Sequence, residues 1–388
     1  MTDLPPLETA ALAPGIRSRF ASDINGLRVH MLEAGFEAKG RPLVLLLHGF
    51  PELAYSWRKI MLPLAAVEFH VVAPDLRGYG RTTGWDADYD GDLASFRILN
   101  AVKDALGLVT ALGYRNVALV AGHDFGASVA AWCALVRPDV FRSLALMSAP
   151  FAGPPALPFD TADNPPQQTS PEVNIHNELA RLDRPRKHYQ WYYSTRPANT
   201  DMRDCPQGVH AFLRGYFHYK SADWTGNKPF RLESWTAGEL AKMPTYYIMD
   251  LHKNMAETVA AEMPSTAQIA ACRWLPENEL AVYAAEYERT GFQGGLQWYR
   301  RGTGGIDTAE LQLFSGRTID VPAMFIAGKS DWGTYQRPGN FERMQQNADA
   351  GLSSDRRRRP LGAAGAAGAG ERAADRLSAA PVAVRRRR

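Results

Sequence analysis

The sequence is poor in cysteine, with only three residues in a chain of 388: Cys133, Cys205 and Cys272. Their odd number and wide spacing exclude a disulfide framework and show no metal-ligand pattern. We therefore expect buried free thiols in a reducing compartment, which indicates a cytoplasmic protein.

Long apolar runs and a strong net charge are also missing. The longest run, Leu43–Leu47, is too short to span a bilayer, and Met1–Gly15 lacks the basic start and apolar stretch of a secretory signal. The formal net charge of +3 is too small to indicate a nucleic-acid partner. Since apolar content is 45% and charged content 22%, the sequence predicts a soluble protein with a sizeable core and no membrane span.

The C-terminal part of the chain contains no histidine, since His252 is the last of nine. From Asp349 onward the chain is dominated by Arg, Ala and Gly, and it has no aromatic residue and no Ile. Two blocks of four arginines lie there, Arg356–Arg359 and Arg385–Arg388. Such a segment buries too little apolar surface to order itself, so residues 349–388 are predicted to be a disordered tail.

The first part of the chain shows buried strands alternating with helices. Asn25-Gly26 is a hairpin dipeptide between two short strands in Ile16–Leu32. Alternation of this kind predicts a parallel sheet with crossover helices. The expected buried strands are Leu43–Leu47, Phe69–Ala73, Val117–Ala121, Ser143–Met147 and Val321–Ala327, and the expected helices are Phe96–Leu112 and Gly126–Val136.

The composition of the sequence changes after Pro150: Trp, Tyr and Pro become frequent, and most apolar residues recur at helical spacing. The simplest organisation is a helical insertion between two strands of one sheet. We therefore expect a core formed by residues 16–150 and 315–348, an insertion formed by residues 151–314, and the tail 349–388.

The decisive motif is Gly122–Gly126, with the sequence Gly-His-Asp-Phe-Gly. It has the form of a nucleophile elbow, a sharp strand-to-helix turn with glycine two positions before and after the nucleophile. A β-carbon at either glycine would collide with the neighbouring strand or helix, and the helix N-terminus favours a negative charge. The motif predicts that Asp124 is a nucleophile, with a simple helix N-cap as the alternative.

An aspartate in this position suits displacement at a saturated carbon. A hydroxyl attacks acyl carbons after a base removes its proton, whereas a carboxylate is already ionised at about pH 7. Its attack yields an alkyl-enzyme ester. Epoxides and haloalkanes are the electrophiles that fit this chemistry.

The chain resembles the epoxide hydrolases of the α/β-hydrolase fold. The resemblance rests on the elbow, on His48–Glu52 (His-Gly-Phe-Pro-Glu) and on Asp75–Gly80 (Asp-Leu-Arg-Gly-Tyr-Gly). It covers the chain from Arg17 to Ala348. It implies a mostly parallel central sheet with helices on both faces, a helical cap insertion, and hydrolysis of an epoxide by water without a cofactor.

The resemblance also implies an oxyanion hole. The backbone N–H groups of Phe50 and Phe125 would face the carbonyl of the ester on Asp124. The Phe50–Pro51 peptide is expected to be cis, and His48 and His123 are expected to shape the site. Alone, His48–Glu52 also fits an ordinary strand-to-loop turn, and we interpret Asp75–Gly80 as a structural turn.

In this family two cap tyrosines hold and protonate the epoxide oxygen, and a phenol is a reasonable donor to a developing alkoxide. Tyr299, in Gln-Trp-Tyr-Arg, matches the second of them. For the first, the run Tyr189–Tyr193 points to Tyr192, with Tyr193 as a close competitor. The alternative is that these rings only fill the core of the cap.

The family's orienting acid follows the next strand, where this chain has Gly328–Trp332 (Gly-Lys-Ser-Asp-Trp). Asp331 is the candidate, and Trp332 beside it is a candidate substrate contact. In the family, this acid accepts a hydrogen bond from the catalytic histidine and fixes its tautomer. The alternative is an ordinary turn carboxylate.

The general base of the family is a histidine that follows the acid, and this chain has none after His252. One permitted coding of Arg358–Ala367, read one base later, encodes Ala-Gly-His-Trp-Val-Gln-Gln-Glu-Gln-Pro, which has the form of the family's histidine loop. We hypothesise a frameshift near Ala348, in the gene or in its sequencing. The alternative is that the arginine blocks form a polyanion-binding arm.

The sequence therefore predicts hydrolysis of an epoxide to a vicinal diol through an ester on Asp124, impaired at hydrolysis of that ester. One alternative is a haloalkane dehalogenase, which shares the aspartate nucleophile but which Tyr299 disfavours. Another is a non-catalytic binding protein with the same fold.

Overall fold

The computed structural model describes residues 4–157 and 174–355. Within them the chain forms a seven-stranded sheet in the order β1-β2-β4-β3-β5-β6-β9 and a separate two-stranded sheet, β7-β8. The strands are β1 (Ile16–Ile24), β2 (Leu27–Ala34), β3 (Leu43–Leu47), β4 (His70–Pro74), β5 (Leu119–His123), β6 (Leu144–Met147), β7 (Arg186–His188), β8 (Ile248–Asp250) and β9 (Ala323–Ile326).

The large sheet is antiparallel at one end and parallel through the rest. β1 and β2 form the expected hairpin, with Asn25 and Gly26 both at positive φ, as its tight turn requires. β2 also pairs antiparallel with β4, whereas β3–β4, β3–β5, β5–β6 and β6–β9 pair in parallel. The prediction of a mostly parallel sheet is confirmed.

The centre of the sheet is buried on both faces. Every residue of β3, β4 and β6 is buried, which requires covering elements above and below, as parallel sheets have. The helices of this part are α1 (Arg58–Ala65), α2 (Ile98–Ala111) and α3 (Phe125–Val136). The side chains of α3 are buried almost throughout, because this helix packs on β5 and β6 and also contacts α2.

The last strand of the sheet differs from the sequence prediction. Val321–Ala327 is expected to be a buried strand, but in β9 Ala323 is exposed and the three following side chains are only half-buried. Within the described part of the chain β9 pairs with β6 alone, so its other edge has no ladder partner. A strand that is covered on one side only leaves part of its apolar surface in contact with water.

Between β6 and β9 the chain forms the insertion that the sequence predicts to be helical. It also holds the short ladder of β7 and β8, which the sequence analysis did not anticipate. Its helices are α4 (Ile175–Ala180), α5 (Tyr189–Tyr193), α6 (Pro197–Arg203), α7 (Gly208–Lys220), α8 (Ala237–Leu240), α9 (Met255–Ala260), α10 (Thr266–Ala271), α11 (Glu277–Thr290), α12 (Gln293–Gly304) and α13 (Thr308–Gln312).

The chain after β9 forms α14 (Asn340–Asp355). This helix extends past Asp349, so the backbone is helical at the start of the segment that the sequence predicts to be disordered. The arginine blocks Arg356–Arg359 and Arg385–Arg388, and the rest of the predicted tail, lie outside the described residues.

The three cysteines are free, as predicted, with Cys133 and Cys205 buried and Cys272 partly buried. Within residues 4–157 and 174–355, no helix has the length and apolar character needed to cross a membrane.

Candidate active site

Asp124 lies at the sharp turn between β5 and α3, with φ 54° and ψ −118°. This backbone conformation is strained for a residue with a side chain, and such strain is typical of functional turns. A β-carbon at Gly122 would lie 2.0 Å from the carbonyl oxygen of Gly126, and one at Gly126 would lie 2.1 Å from that of Leu47. The two glycines are therefore required for the turn.

Only the three central residues of the turn are partly exposed to solvent. Gly122 and Gly126 are buried, whereas His123, Asp124 and Phe125 between them are partly exposed. The Asp124 side chain makes no capping hydrogen bond to α3, so it is not a conventional N-cap.

The loop after β3 supplies a hydrogen-bond donor to this carboxylate. The backbone N–H of Phe50 donates to Oδ1 of Asp124 at 3.1 Å. A β-carbon at Gly49 would lie 2.3 Å from Cβ of Asp124, so glycine there allows the loop to approach. The Phe50–Pro51 peptide is cis.

His48 holds this loop in place. Its Nε2 accepts a hydrogen bond from the backbone N–H of Leu76 at 3.0 Å, so the ring proton is on Nδ1, which donates to the carbonyl of Gly49 at 2.9 Å. Burial lowers the pKa of His48, which keeps this residue neutral. His48 therefore fixes the Phe50 donor and leaves no ring nitrogen for chemistry.

His123 pairs with Glu52 from the same loop, with 3.2 Å between Nδ1 and Oε2. Burial opposes a charge on the imidazole, but Glu52 and, more weakly, Asp124 and Asp331 outweigh it and raise the pKa of His123 to about 9. At neutral pH this residue is an imidazolium beside Asp124. A protonated imidazole cannot accept a proton from water.

Tyr299, on α12, lies above the elbow. Its ring packs edge-on against Phe125 at 4.7 Å and Phe50 at 5.4 Å between centroids. Burial raises its pKa well above the ordinary value, and the charge of Asp124 adds to the shift, so the phenol keeps its proton. The structure thus brings Tyr299 to the predicted site.

The second tyrosine near Asp124 is Tyr189, whereas Tyr192 is the one that the sequence analysis favours. Tyr192 donates its hydroxyl proton to Oδ2 of Asp201 at 2.7 Å, and burial followed by this hydrogen bond raises its pKa. The ring of Tyr189 lies 5.8 Å from that of Tyr299, and burial and then Asp124 raise its pKa. The hydroxyl of Tyr192 is thus turned toward Asp201 on α6, and its predicted role as a proton donor stays a prediction.

Tyr193, the competitor named from the sequence, lies in the wall between these groups. It is fully buried, with its ring 5.3 Å from Phe50 and 4.9 Å from Tyr299. It therefore packs the two rings that border the elbow.

Asp331 follows β9 and begins a short 3₁₀ turn, Trp332–Thr334, where its Oδ1 accepts the N–H of Gly333 at 2.7 Å. Its charge reaches His123, so it lies in the same electrostatic environment as Asp124. Trp332 is buried, and its ring packs against Phe230 at 5.1 Å. A role for Trp332 in substrate contact stays a prediction.

Two site residues, Tyr189 and Lys220, escape the sequence analysis. Tyr189 and Tyr193 are four positions apart and share a face of α5, which is a usable signal once the helix is known to begin at Tyr189. Lys220 carries no local signal, and only its charge interaction with Asp124 and Asp331 in the folded chain links it to the elbow. Within the described ranges, no cluster of three or more His, Cys, Asp or Glu residues could hold a metal ion.

Comparison with known proteins shows the family to which the chain belongs. Residues 42–335 match the family model described as alpha/beta hydrolase fold. Epoxide hydrolase A of Mycobacterium tuberculosis is 33% identical over 310 residues, which cover 80% of this chain and 81% of the relative. Epoxide hydrolase 3 of Siraitia grosvenorii is 30% identical over 322 residues, which cover 82% of each chain.

Solved structures give the same result. An epoxide hydrolase from an endophytic Streptomyces matches with a TM-score of 0.64 at 28% identity, covering 87% of this chain and 85% of that one. Epoxide hydrolase I of potato (Solanum tuberosum) matches with a TM-score of 0.62 at 28% identity, covering 87% and 88%.

Proposed function

This chain belongs to the α/β-hydrolase fold family and to the epoxide hydrolases within it, and from that premise we propose that Asp124 opens an epoxide ring by forming an ester. The observation that carries the proposal is the position of the Asp124 carboxylate. It stands on a strained turn at the partly exposed tip of the elbow, with Oδ1 bonded to the N–H of Phe50. That arrangement leaves Oδ2 as the attacking atom.

In the first half-reaction Oδ2 of Asp124 forms a bond to a ring carbon while the bond from that carbon to the epoxide oxygen breaks. The oxygen leaves as an alkoxide and takes a proton from a phenol. Tyr189 and Tyr299 are the donors. Both phenols keep their protons, and the charge of Asp124 contributes to the raised pKa of each. The two phenols favour an epoxide over a haloalkane, whose halide leaving group needs no proton.

The hydroxyl of Tyr189 is engaged before substrate binds. It donates to Oε1 of Gln336 at 2.9 Å and accepts from Nε2 of Gln190 at 3.2 Å. An epoxide oxygen would take the place of Gln336 as acceptor. The exchange replaces one hydrogen bond by another, so the phenol is oriented at little net cost.

In the second half-reaction water attacks the ester carbonyl and the resulting oxyanion needs fixed donors. The N–H of Phe50 already donates a hydrogen bond to Oδ1 of Asp124, the atom that would become this carbonyl oxygen. Phe125 is the first residue of α3, so its N–H has no partner within the helix and is free to serve as the second donor.

This second step needs a general base, and the groups in the site supply it poorly. His123 is held as an imidazolium by Glu52, and no histidine follows His252 in this chain. We therefore propose that the alkyl-enzyme ester forms and then persists. Asp331 would orient a catalytic histidine if one were present.

The frameshift hypothesis accounts for the missing base. The alternative reading of Arg358–Ala367 carries a histidine at about the distance beyond Asp331 that the family requires. Sequencing the gene tests it directly: in-frame codons that do not permit the shifted reading would end the hypothesis.

The proposed function is tested by intact-protein mass spectrometry after incubation with styrene oxide. One covalent adduct per chain, mapped to the peptide containing Asp124 and absent from Asp124→Asn, is the expected result. Asp139→Asn, an exposed aspartate paired with Arg137, is the matched control and should be labelled like the wild type. Labelling of Asp124→Asn at the wild-type rate would overturn the assignment.

A further inference from the structure

A cavity of about 740 Å³ lies at the end of the large sheet where β3, β4 and β5 begin. Leu43 and His70, the first residues of β3 and β4, line it, and so does Ala118, which precedes β5. Asp124 follows the opposite end of β5, about 20 Å away at ~3.3 Å per residue of strand. The cavity is therefore separate from the candidate active site. We call it the basic cavity, after the basic side chains of its lining, which are Arg17, Arg19, Lys39, Arg41, His70 and Arg115.

The charged side chains that line the basic cavity are all of one sign, since no aspartate or glutamate of the described ranges belongs to the lining. One carboxylate, that of Glu33, is buried next to the lining. Burial opposes its charge, but its bonds to His70, Arg19 and Arg17 outweigh burial and lower the pKa of Glu33 to about 2. A single carboxylate is thus set against five cations, and the cavity keeps an excess of positive charge.

The two arginines of β1 are held in fixed orientations. Glu33 accepts hydrogen bonds from Nε and Nη2 of Arg19, at 2.5 and 2.9 Å, and from Nε of Arg17 at 2.8 Å. The guanidinium of Arg17 also stacks on Phe36, with Cζ 3.8 Å from the centroid of the ring. These contacts leave both terminal nitrogens of Arg17 and Nη1 of Arg19 as donors for another molecule.

The walls of the basic cavity are tied together as well. Tyr114, in the loop after α2, donates its hydroxyl proton to the carbonyl of Arg41 at 3.2 Å and accepts from Nδ1 of His70 at 2.8 Å. One phenol therefore links that loop both to β4 and to the loop before β3. A site whose walls are fixed before binding loses less entropy when a ligand enters.

Helix capping explains only one of the remaining cations. Nη1 of Arg41 donates to the carbonyls of Gly35, at 3.4 Å, and of Ala65, the last residue of α1, at 3.3 Å. A cation is favoured at the C-terminus of a helix, so Arg41 has a structural role. Lys39 and Arg115 differ, because within the part of the chain that the structure describes no carboxylate lies within 4.0 Å of either. Both side chains keep all their donors.

The size and lining of the basic cavity indicate the kind of anion that fits. Its volume lies within the roughly 300–1,000 Å³ of small-molecule sites. Several cations around one space suit a ligand with more than one negative charge, and guanidinium groups match phosphate oxygens with paired hydrogen bonds. Phe36 and Leu112 add apolar surface for an organic portion. A concave site in a chain with a net charge of only +3 favours a small molecule over a nucleic acid.

We propose that the basic cavity binds a small organic molecule that carries two or more phosphate groups, such as a nucleoside diphosphate. Arg17, Arg19 and Arg41 bind the phosphates from the floor of the cavity, and Lys39 and Arg115 bind them from its exposed rim. The proposal goes beyond the proposed function and does not depend on it, because the cavity lies away from Asp124.

The test is calorimetric titration of the full chain with ADP at about 150 mM salt, where weak surface attraction is screened. We expect one ADP per chain, at least about tenfold weaker binding of AMP, which has one phosphate fewer, and no binding of adenosine. Neither heat nor a rise in melting temperature at about 1 mM ADP would overturn the proposal. Adenosine binding as well as ADP would also refute it, since the cations would then make no contribution.

A double variant at the rim separates the cavity from general charge attraction. Lys39→Gln with Arg115→Gln should weaken ADP binding at least about tenfold without unfolding the protein, because neither side chain has a charge partner to lose. Lys228→Gln with Arg273→Gln is the matched control, since it removes the same charge from two exposed side chains outside the cavity. This control should bind ADP within about twofold of the wild type. An equal loss in both double variants would refute the site.

A third variant fills the cavity and keeps every cation. Ala38 is exposed and belongs to the lining, so Ala38→Trp places a large ring at the rim. ADP binding should be lost while the melting temperature without ligand stays close to that of the wild type. Undiminished binding by a folded Ala38→Trp would show that the anion is held by surface charge and not in the cavity. Tighter binding of single-stranded RNA than of ADP, lost in the same variants, would identify a different class of ligand and count against the proposal.

Discussion

The backbone N–H of Phe50 donates to Oδ1 of Asp124 at 3.1 Å, although 74 positions separate the two residues in the chain. The donor is thus in place before any substrate binds. Fixed donors of this kind stabilise an oxyanion because they need no reorganisation during the reaction. In the proposed reaction the same contact would distinguish the two oxygens of the carboxylate, since the bonded one would remain the carbonyl and the other would attack.

Restoring the histidine encoded in the shifted frame should convert a single covalent labelling of Asp124 into repeated turnover. A protein read in the shifted frame from near Ala348, and so carrying Ala-Gly-His-Trp after Asp331, is expected to release diol continuously and to show no stable adduct. The same protein with that histidine changed to Gln should accumulate the ester again. Diol release is measured by chromatography alongside intact mass. Continuous release by the chain as given in the sequence would contradict the proposed block.

Replacing the tyrosines should separate proton donation from packing. Tyr189→Phe and Tyr299→Phe should each slow labelling of Asp124 at least about tenfold, because a phenol that protonates the leaving oxygen is lost. Tyr192→Phe should leave the labelling rate within about twofold and lower stability by about 1 kcal/mol, since only its hydrogen bond to Asp201 is removed. Labelling rates and chemical denaturation are measured for all three. A slow Tyr192→Phe with a fast Tyr189→Phe would reverse the assignment.

The elbow glycines should tolerate no side chain. Gly126→Ala places a β-carbon 2.1 Å from the carbonyl oxygen of Leu47, so we expect a loss of about 3 kcal/mol or more, or failure to fold. Gly302→Ala is the control, because Gly302 lies within α12 and a β-carbon there meets nothing within 4 Å. This change should stabilise the protein by about 0.5–1 kcal/mol. Urea denaturation measures both, and a stable Gly126→Ala would show that the turn can relax.

The pair of His123 and Glu52 should make the protein less stable as the pH rises into the alkaline range. The pKa of His123 is raised from an ordinary 6.5 to about 9 in the folded protein. A raised pKa adds stability that is fully present below the unfolded value and is lost as pH rises through the folded one. The melting temperature of the wild type should therefore fall more between pH 6.5 and about 9 than that of His123→Gln. Parallel curves for the two proteins would refute the charge assignment.

The elbow could be identified from sequence because its signal is local. A buried strand, two glycines four positions apart and a carboxylate between them define one turn, and the turn defines the direction of the Asp124 side chain. The hairpin at Asn25-Gly26 and the buried strands are predictable for the same reason, since backbone conformation and apolar runs are properties of neighbouring residues.

The choice among the tyrosines of α5 could not be made in this way. Tyr189, Tyr192 and Tyr193 occupy a single helical turn, where a rotation of the helix decides which ring meets the elbow and which meets α6. That rotation is set by packing against distant partners such as Tyr247 and Asp201. The half-exposed β9 differs from its prediction for a related reason, since its apolar residues indicate a strand but not whether a neighbour covers it.

The sequence by itself predicted an aspartate nucleophile at Asp124, and it determined the parallel sheet that carries this residue and the absence of a histidine after His252. Only the tertiary structure placed the ring of Tyr189 beside that of Tyr299. The physical reason is the distance along the chain between the residues that interact. Turns, strands and charges are specified by residues close together in the chain, whereas a pocket is formed by side chains whose positions depend on how separate elements pack.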